Sequence, residues 1–210
     1  MPENASRGRF ITLEGIDGAG KSTHARFISE ALTARGRRVV VTREPGGTPA
    51  GEAIRAWLLH QPMTHDAEAL LMFAARREHL ANVIEPALAR GDIVLCDRFT
   101  DATYAYQGAG HGVSIAMIDA LADWVQRGVD PDLTLLFDVP SEVSRARLAR
   151  MHAKGQASDK FERETEAFFE RVRKGYLARA AADPERFRII DSTRPIAEVR
   201  EEIAHVVEKL

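Results

Sequence analysis

The run Gly15–Ser22, GIDGAGKS, constrains this chain more tightly than any other part of it. It fits the phosphate-binding loop pattern G-x-x-x-x-G-K-[ST]. Gly15, Gly18 and Gly20 allow tight backbone turns that aim several N–H groups at one oxyanion. Lys21 supplies a point charge for the β- and γ-phosphates of a nucleotide, and Ser22 a hydroxyl for Mg²⁺. Ile16, Asp17, Ala19 and Thr23 complete the stretch expected to line the phosphates. The surroundings agree with the motif. Arg9–Glu14 (RFITLE) reads as a buried strand, and Ser22–Arg35 as an amphipathic helix whose N-terminus favours an anion.

The chain has 210 residues, 45% hydrophobic and 29% charged, enough for one sizeable core. A formal net charge of −2 gives no general attraction to nucleic acid or acidic membranes. Polyanions must therefore be held by local Arg and Lys clusters. The single cysteine, Cys96, lies in the apolar run IVLC and reads as a buried structural thiol in a reducing cytoplasm. The polar start MPENASRGR predicts no signal peptide, and no apolar run approaches the ~20 residues of a membrane span.

Strand-like runs at Phe10–Glu14, Arg38–Thr42, Ile93–Cys96, Leu133–Val139 and Phe187–Ile190 alternate with helical stretches. The helices are expected at Ser22–Arg35, Gly51–His60, Asp66–Arg90 (with Pro86 as a possible kink), Ile115–Gly128, Ser141–Arg150, Arg163–Ala181 and Pro195–Leu210. This alternation predicts one α/β domain over residues 1–210, with a five-stranded parallel sheet, helices on both faces and right-handed crossovers. Ligands of such sheets bind beyond the carboxyl ends of the strands. A polar segment, Lys154–Lys160 (KGQASDK), reads as a flap, part of a short lid at about 145–163.

Phosphoryl transfer relies on positioning and charge neutralisation. Asp97 ends a strand, where it is suited to hold Mg²⁺ directly or through water, and Arg98 beside it to grip a phosphate; a strand-end salt bridge is the alternative. Asp17, repelled by phosphates, suits an acceptor's hydroxyl or is a solvated loop acid. TREPGGT (Thr42–Thr48) closes the second strand in a turn, and Arg55 on the next helix is either functional or a surface cation. Of Arg76 and Arg77, one should point to solvent, and an Arg on the apolar face needs an acceptor. Thr103, Tyr104, Tyr106 and Gln107 suit a base or pack structurally. Arg145, Arg147, Arg150, Lys154, Lys160 and Arg163 are either a solvated face or the cations of a closing lid.

EGIDGAGKS, TREPGGT, CDRFTDATYAYQGAG, PDLTLLFDV and IIDST together resemble the bacterial thymidylate kinases, P-loop nucleoside monophosphate kinases, from about Arg9 to the C-terminus. The resemblance implies a three-layer P-loop NTPase-type fold, a homodimer, and transfer of the γ-phosphate of ATP to dTMP with Mg²⁺. It implies that Asp17 meets the sugar 3′-hydroxyl and that Arg98, helped by Arg55, holds the acceptor phosphate. Arg76 would hydrogen-bond thymine, Thr103 and Gln107 would recognise the base, and Tyr106 would discourage a 2′-hydroxyl. Asp191–Thr193 would lie near adenine. Other nucleotide kinases, or a non-catalytic nucleotide-operated switch, are the competing readings.

Three positions depart from the family pattern. Met72 stands where a Phe usually stacks on thymine, and Phe73 follows it; His111 replaces the Arg of QGAGRG; Asp159-Lys160 replaces Asp-Arg in the lid. The loop carries Ala19 and no Arg, so the transition-state cation is expected from Arg150 or Arg147, assisted by Lys160.

Overall fold

The computed structural model describes residues 7–153 and 159–208; the lid positions Lys154–Ser158 of the sequence reading lie outside them. Strands β1 (Phe10–Glu14), β2 (Val39–Arg43), β3 (Ile93–Asp97), β4 (Leu133–Asp138) and β5 (Phe187–Asp191) form one sheet in the order β2-β3-β1-β4-β5. Every pairing is parallel, with Phe10 level with Val94 and Ile11 level with Leu133. The helices are α1 (Lys21–Ala34), α2 (Pro49–His60), α3 (His65–His79), α4 (Glu85–Ala89), α5 (Thr100–Thr103), α6 (Ile115–Gln126), α7 (Ser141–His152), α8 (Glu166–Ala182) and α9 (Ile196–Val207).

The central strands are apolar throughout because both faces are covered. Ile11, Leu13, Leu135 and Phe137 pack with Ile28 of α1, Val172 of α8 and Ile203 of α9. Phe10, Val94 and Cys96 pack on the other side with Phe73 of α3, Leu80 and Ile118 of α6. Each such buried side chain contributes roughly 1.5–3 kcal/mol. One polar pair is tolerated inside, because Thr12 and Thr134 hydrogen-bond each other at 2.8 Å across neighbouring strands. Cys96 is fully buried, and burial pushes its thiol well above the ordinary range, as the apolar run implies.

Two departures from the predicted elements matter for the site. The expected Asp66–Arg90 helix is α3 and α4 joined by a π-helical turn, Leu80–Ile84. Pro86 sits in the first turn of α4, where a missing N–H is tolerated. The second departure is a helix the sequence reading left out: α5 continues into a π-helical stretch, Tyr104–Gly110, that carries the polar-aromatic group.

Candidate active site

The chemistry-bearing residues converge at the carboxyl ends of β1, β2 and β3. The phosphate loop leaves β1 and enters α1 through Gly20, whose φ of 101° and neighbour Gly18 at φ 74° need the freedom of glycine. The loop is braced from outside. Ser144 donates to the Asp17 carbonyl at 2.6 Å, and Ser192 to the Ala19 carbonyl at 2.6 Å. Lys21 Nζ caps the Gly15 and Ile16 carbonyls at 2.9 and 3.1 Å. Burial and the Arg98 charge lower its pKa, against the pull of Asp97, Asp17 and Glu14.

Arg98 is the hub. Its Nη2 donates to Asp17 Oδ1 at 2.6 Å and to the Tyr106 hydroxyl at 2.9 Å, and Nη1 donates to the Tyr176 hydroxyl at 2.9 Å. Each phenol in turn donates a hydrogen bond to an acid: Tyr106 to Asp17 Oδ2 at 2.8 Å, Tyr176 to Glu14 Oε2 at 2.8 Å. Burial alone would raise the Asp17 pKa, but Arg98 and Lys21 hold it below the usual carboxylate range. Burial works against the Arg98 charge too, yet Asp17 raises its pKa well above normal. The phenols are pushed well above their ordinary values by burial, and so remain donors.

A pocket opens beside this hub, lined by Asp17, Glu44, Arg55, Met72, Arg76, Arg98, Thr103, Tyr106 and Gln107, with Leu59, Phe99, Ala102, Asp159 and Phe161 closing it. Arg76 is 2% exposed, so its guanidinium needs partners. Its Nε donates to Glu44 Oε2 at 2.8 Å and its Nη2 to Thr103 at 3.1 Å, while Nη1 is buried with no partner. Glu44 is fixed in turn by His79 Nδ1 at 2.9 Å, and His79 Nε2 lies 2.6 Å from the Thr42 hydroxyl. TREPGGT is therefore more than a turn: it brings the counter-charge for Arg76. Arg77 is the one that turns outward, 26% exposed, and binds the Val125 carbonyl and Glu85, each at 2.6 Å. Arg55 donates to the Pro45 carbonyl at 2.9 Å, and burial with the nearby Arg43 charge lowers its pKa. No ion pair holds it among the described residues.

A second cleft runs from the loop to α7 and the β5–α9 turn, lined by Gly18, Gly20, Lys21, Ser22, Thr23, Asp97, Arg98, Arg147, Arg150, Ser192 and Arg194 among others. Asp97 Oδ1 is buried without a hydrogen-bond partner, so it is not consumed by a strand-end salt bridge. Asp191 and Thr193 close on each other at 2.9 and 2.6 Å, leaving Ser192 as that turn's contact with the loop.

Several predicted residues sit elsewhere than expected. Phe73 is not a pocket wall; it is 1% exposed in the core beneath Arg76, whose guanidinium lies 4.7 Å from its ring. Adjacent helical positions diverge, so Met72 takes the pocket face instead. Lys160 is not among the phosphate-cleft residues; its Nζ pairs with Glu68 Oε2 at 2.5 Å. Arg147 lines the cleft but is committed to loop and turn carbonyls, Gly18 at 3.2 Å and Ser192 at 2.7 Å. Arg150 has no such partner among the described residues. His111, in place of the family Arg, stacks on His65 at 4.0 Å and stands 3.7 Å from Glu68. The sequence reading missed Glu14, Glu44, Glu68 and Tyr176 as members of the network. Glu14 and Glu44 lie within the motifs EGIDGAGKS and TREPGGT themselves, and an acid directly before a phosphate loop was the available signal.

A parallel sheet with a phosphate loop at its centre and a second pocket facing it defines a P-loop phosphotransferase. The chain belongs to the thymidylate kinase family: the family model described as Thymidylate kinase matches residues 13–203. It is 60% identical to the thymidylate kinase of Cupriavidus metallidurans over 97% of this chain and 100% of that protein. It is 60% identical to that of Bordetella petrii over 94% of each. Among solved structures, the thymidylate kinase of Ehrlichia chaffeensis superimposes with a TM-score of 0.76 at 36% identity, covering 96% of this chain and 99% of that one.

Proposed function

We propose that this chain transfers the γ-phosphate of ATP to dTMP, releasing ADP and dTDP for dTTP synthesis. The observation that carries this reading is that the two clefts share the walls Asp17, Arg55 and Arg98. A donor on the loop and an acceptor in the pocket then meet at one guanidinium, which is the positioning phosphoryl transfer needs. Lys21 leaves the loop carbonyls for the donor phosphates, and Arg98 with Arg55 takes the acceptor phosphate. Asp17 accepts from the sugar 3′-hydroxyl. Tyr106, bonded to Asp17, walls off the 2′ position. Met72 covers the base, and Arg76, Thr103 and Gln107 read its edge.

The unpartnered Asp97 oxygen and the Ser22 hydroxyl are hard oxygen donors in one cleft, and they fit Mg²⁺. When bound, the ion would neutralise phosphate charge. Of the three cations expected there, Arg150, Arg147 and Lys160, Arg150 is the one left among the described residues to face the transferred phosphoryl group, since Arg147 and Lys160 are engaged elsewhere. The protein works as one domain in the cytoplasm, as a homodimer formed through α3 and α6. On α6, Met117, Leu121 and Trp124 repeat at helical spacing, and Trp124 is 72% exposed, as is half of Leu70 on α3. Among the described residues no helix is long and apolar enough to cross a membrane.

An ADP-release assay over a panel of nucleoside monophosphates tests the activity. Turnover highest with dTMP is expected. Preference for a purine acceptor, or ATP hydrolysis indifferent to dTMP, overturns the reading.

A further inference from the structure

Glu68 lies one step behind the residues that face the acceptor pocket. It sits in the first turn of α3 and is 2% exposed. Gln107 Nε2 donates to its Oε1 at 2.8 Å, and Lys160 Nζ holds its Oε2 at 2.5 Å. A carboxylate only accepts, so the amide nitrogen of Gln107 must face Glu68 and the amide oxygen must face away. Gln107 lines the pocket, and among the described residues its Oε1 takes no hydrogen bond. Arg76 Nη1, in the wall of the same pocket, is a buried donor without a partner. The pocket thus offers a donor and an acceptor together. That pair complements a ring carbonyl next to a ring N–H, as at O4 and N3 of thymine. The 4-amino and bare N3 of a cytosine present the inverse.

We propose that Glu68 is the positioning residue for base choice: by locking the Gln107 amide it makes the pocket accept 4-keto pyrimidines and refuse 4-amino ones. This rests on the thymidylate reading above. Without the lock the amide is free to turn over, exchanging oxygen for nitrogen, and then meets the bare N3 of a cytosine. Lys160 matters here because it holds the other carboxylate oxygen from within the lid. The same carboxylate lies with His65 and His111 in a group whose ligand atoms are within 4.8 Å of one another. There, however, the Lys160 ammonium already pairs with one oxygen of that carboxylate.

The test compares kcat/KM for dTMP and for 5-methyl-dCMP, which keeps the shape of thymine and inverts only its hydrogen-bonding edge. Glu68→Gln is isosteric, but its amide either donates to or accepts from Gln107. The preference for dTMP is expected to fall by about tenfold or more. It does not vanish, because Arg76 still opposes the 4-amino group. Glu68→Asp remains an acceptor and is expected to keep the preference within about twofold even where both rates drop. A purely structural role gives the opposite order, with the isosteric Gln mild, the shorter Asp worse, and the preference unchanged in both; that result overturns the proposal. If turnover of Glu68→Gln is too low to read, the ratio of the two dissociation constants decides. A wild-type enzyme that ignores dTMP overturns the thymidylate reading instead, and so is distinguishable.

Discussion

Arg98 holds a left-handed backbone, φ 71°, that a residue with a Cβ rarely adopts. Strain of this kind costs about 1–3 kcal/mol and persists only where neighbours over-determine it. Here the Arg98 N–H donates to the Leu13 carbonyl at 3.0 Å, and the next N–H, Phe99, to Glu14 Oε1 at 2.7 Å. Glu14 therefore supports both the strained backbone and, through Tyr176, the guanidinium. Burial, with the Asp101 charge, raises its pKa from 4.5 to about 8. A raised folded-state value means that the native protein binds the extra proton. The stability from this group is complete below pH 4.5 and is lost as pH rises towards about 8. Glu14→Gln, which mimics the protonated acid, should flatten that slope, so urea melts at pH 5 to 8 should show the variant gaining on wild type as pH increases. Parallel curves would refute the assignment. For the phosphoryl cation, Arg150→Ala should lower kcat tenfold or more while leaving dTMP affinity nearly unchanged. Unaltered turnover would sink that role.

At the scale of elements, α8 and the Thr100–Gly110 helix carry the two phenols that grip Arg98, so their spacing sets the site. They approach closely at Gly175, where a Cβ would stand 2.7 Å from the Ala109 Cβ and 3.2 Å from the Ala105 Cα. Gly175→Ala gains about 1 kcal/mol in helix propensity but overpacks the interface by roughly 1–3 kcal/mol. A net fall in melting temperature is expected, with kcat reduced because Tyr176 moves with α8; an unchanged melt and kcat would show the contact to be soft. The central strands were legible from their apolar runs, since strands covered on both faces leave no alternation to misread. The Thr100–Gly110 helix was not. Gly108 and Gly110 weaken its propensity, and its inward side is aromatic and polar because it serves the pocket. Tertiary packing against α8 overrides what the local sequence prefers.

For the whole molecule, the apolar stripe of α6 with Leu70 of α3 is the face assigned to the dimer. Trp124→Glu should convert a dimer to a monomer in size-exclusion chromatography with light scattering, because a buried charge without a partner is costly. A wild-type chain that already runs as a monomer would disprove the assignment.

The sequence alone determined the sheet, the phosphate loop and the family, because loop geometry and strand burial are local demands written into consecutive residues. It also named most of the pocket: Arg55, Met72, Arg76, Arg98, Thr103, Tyr106 and Gln107 all line it. Only the tertiary structure decided between neighbours and between partners. Met72 faces the pocket and Phe73 the core because helical rotation about α3 is fixed by packing. Arg147 was an equal candidate with Arg150, and Lys160 their assistant, until the loop carbonyls and Glu68 claimed them. Glu44 and Glu68 became part of the site for the same reason. A buried charge must find its counter-charge, and which one it finds depends on residues tens of positions away in the chain.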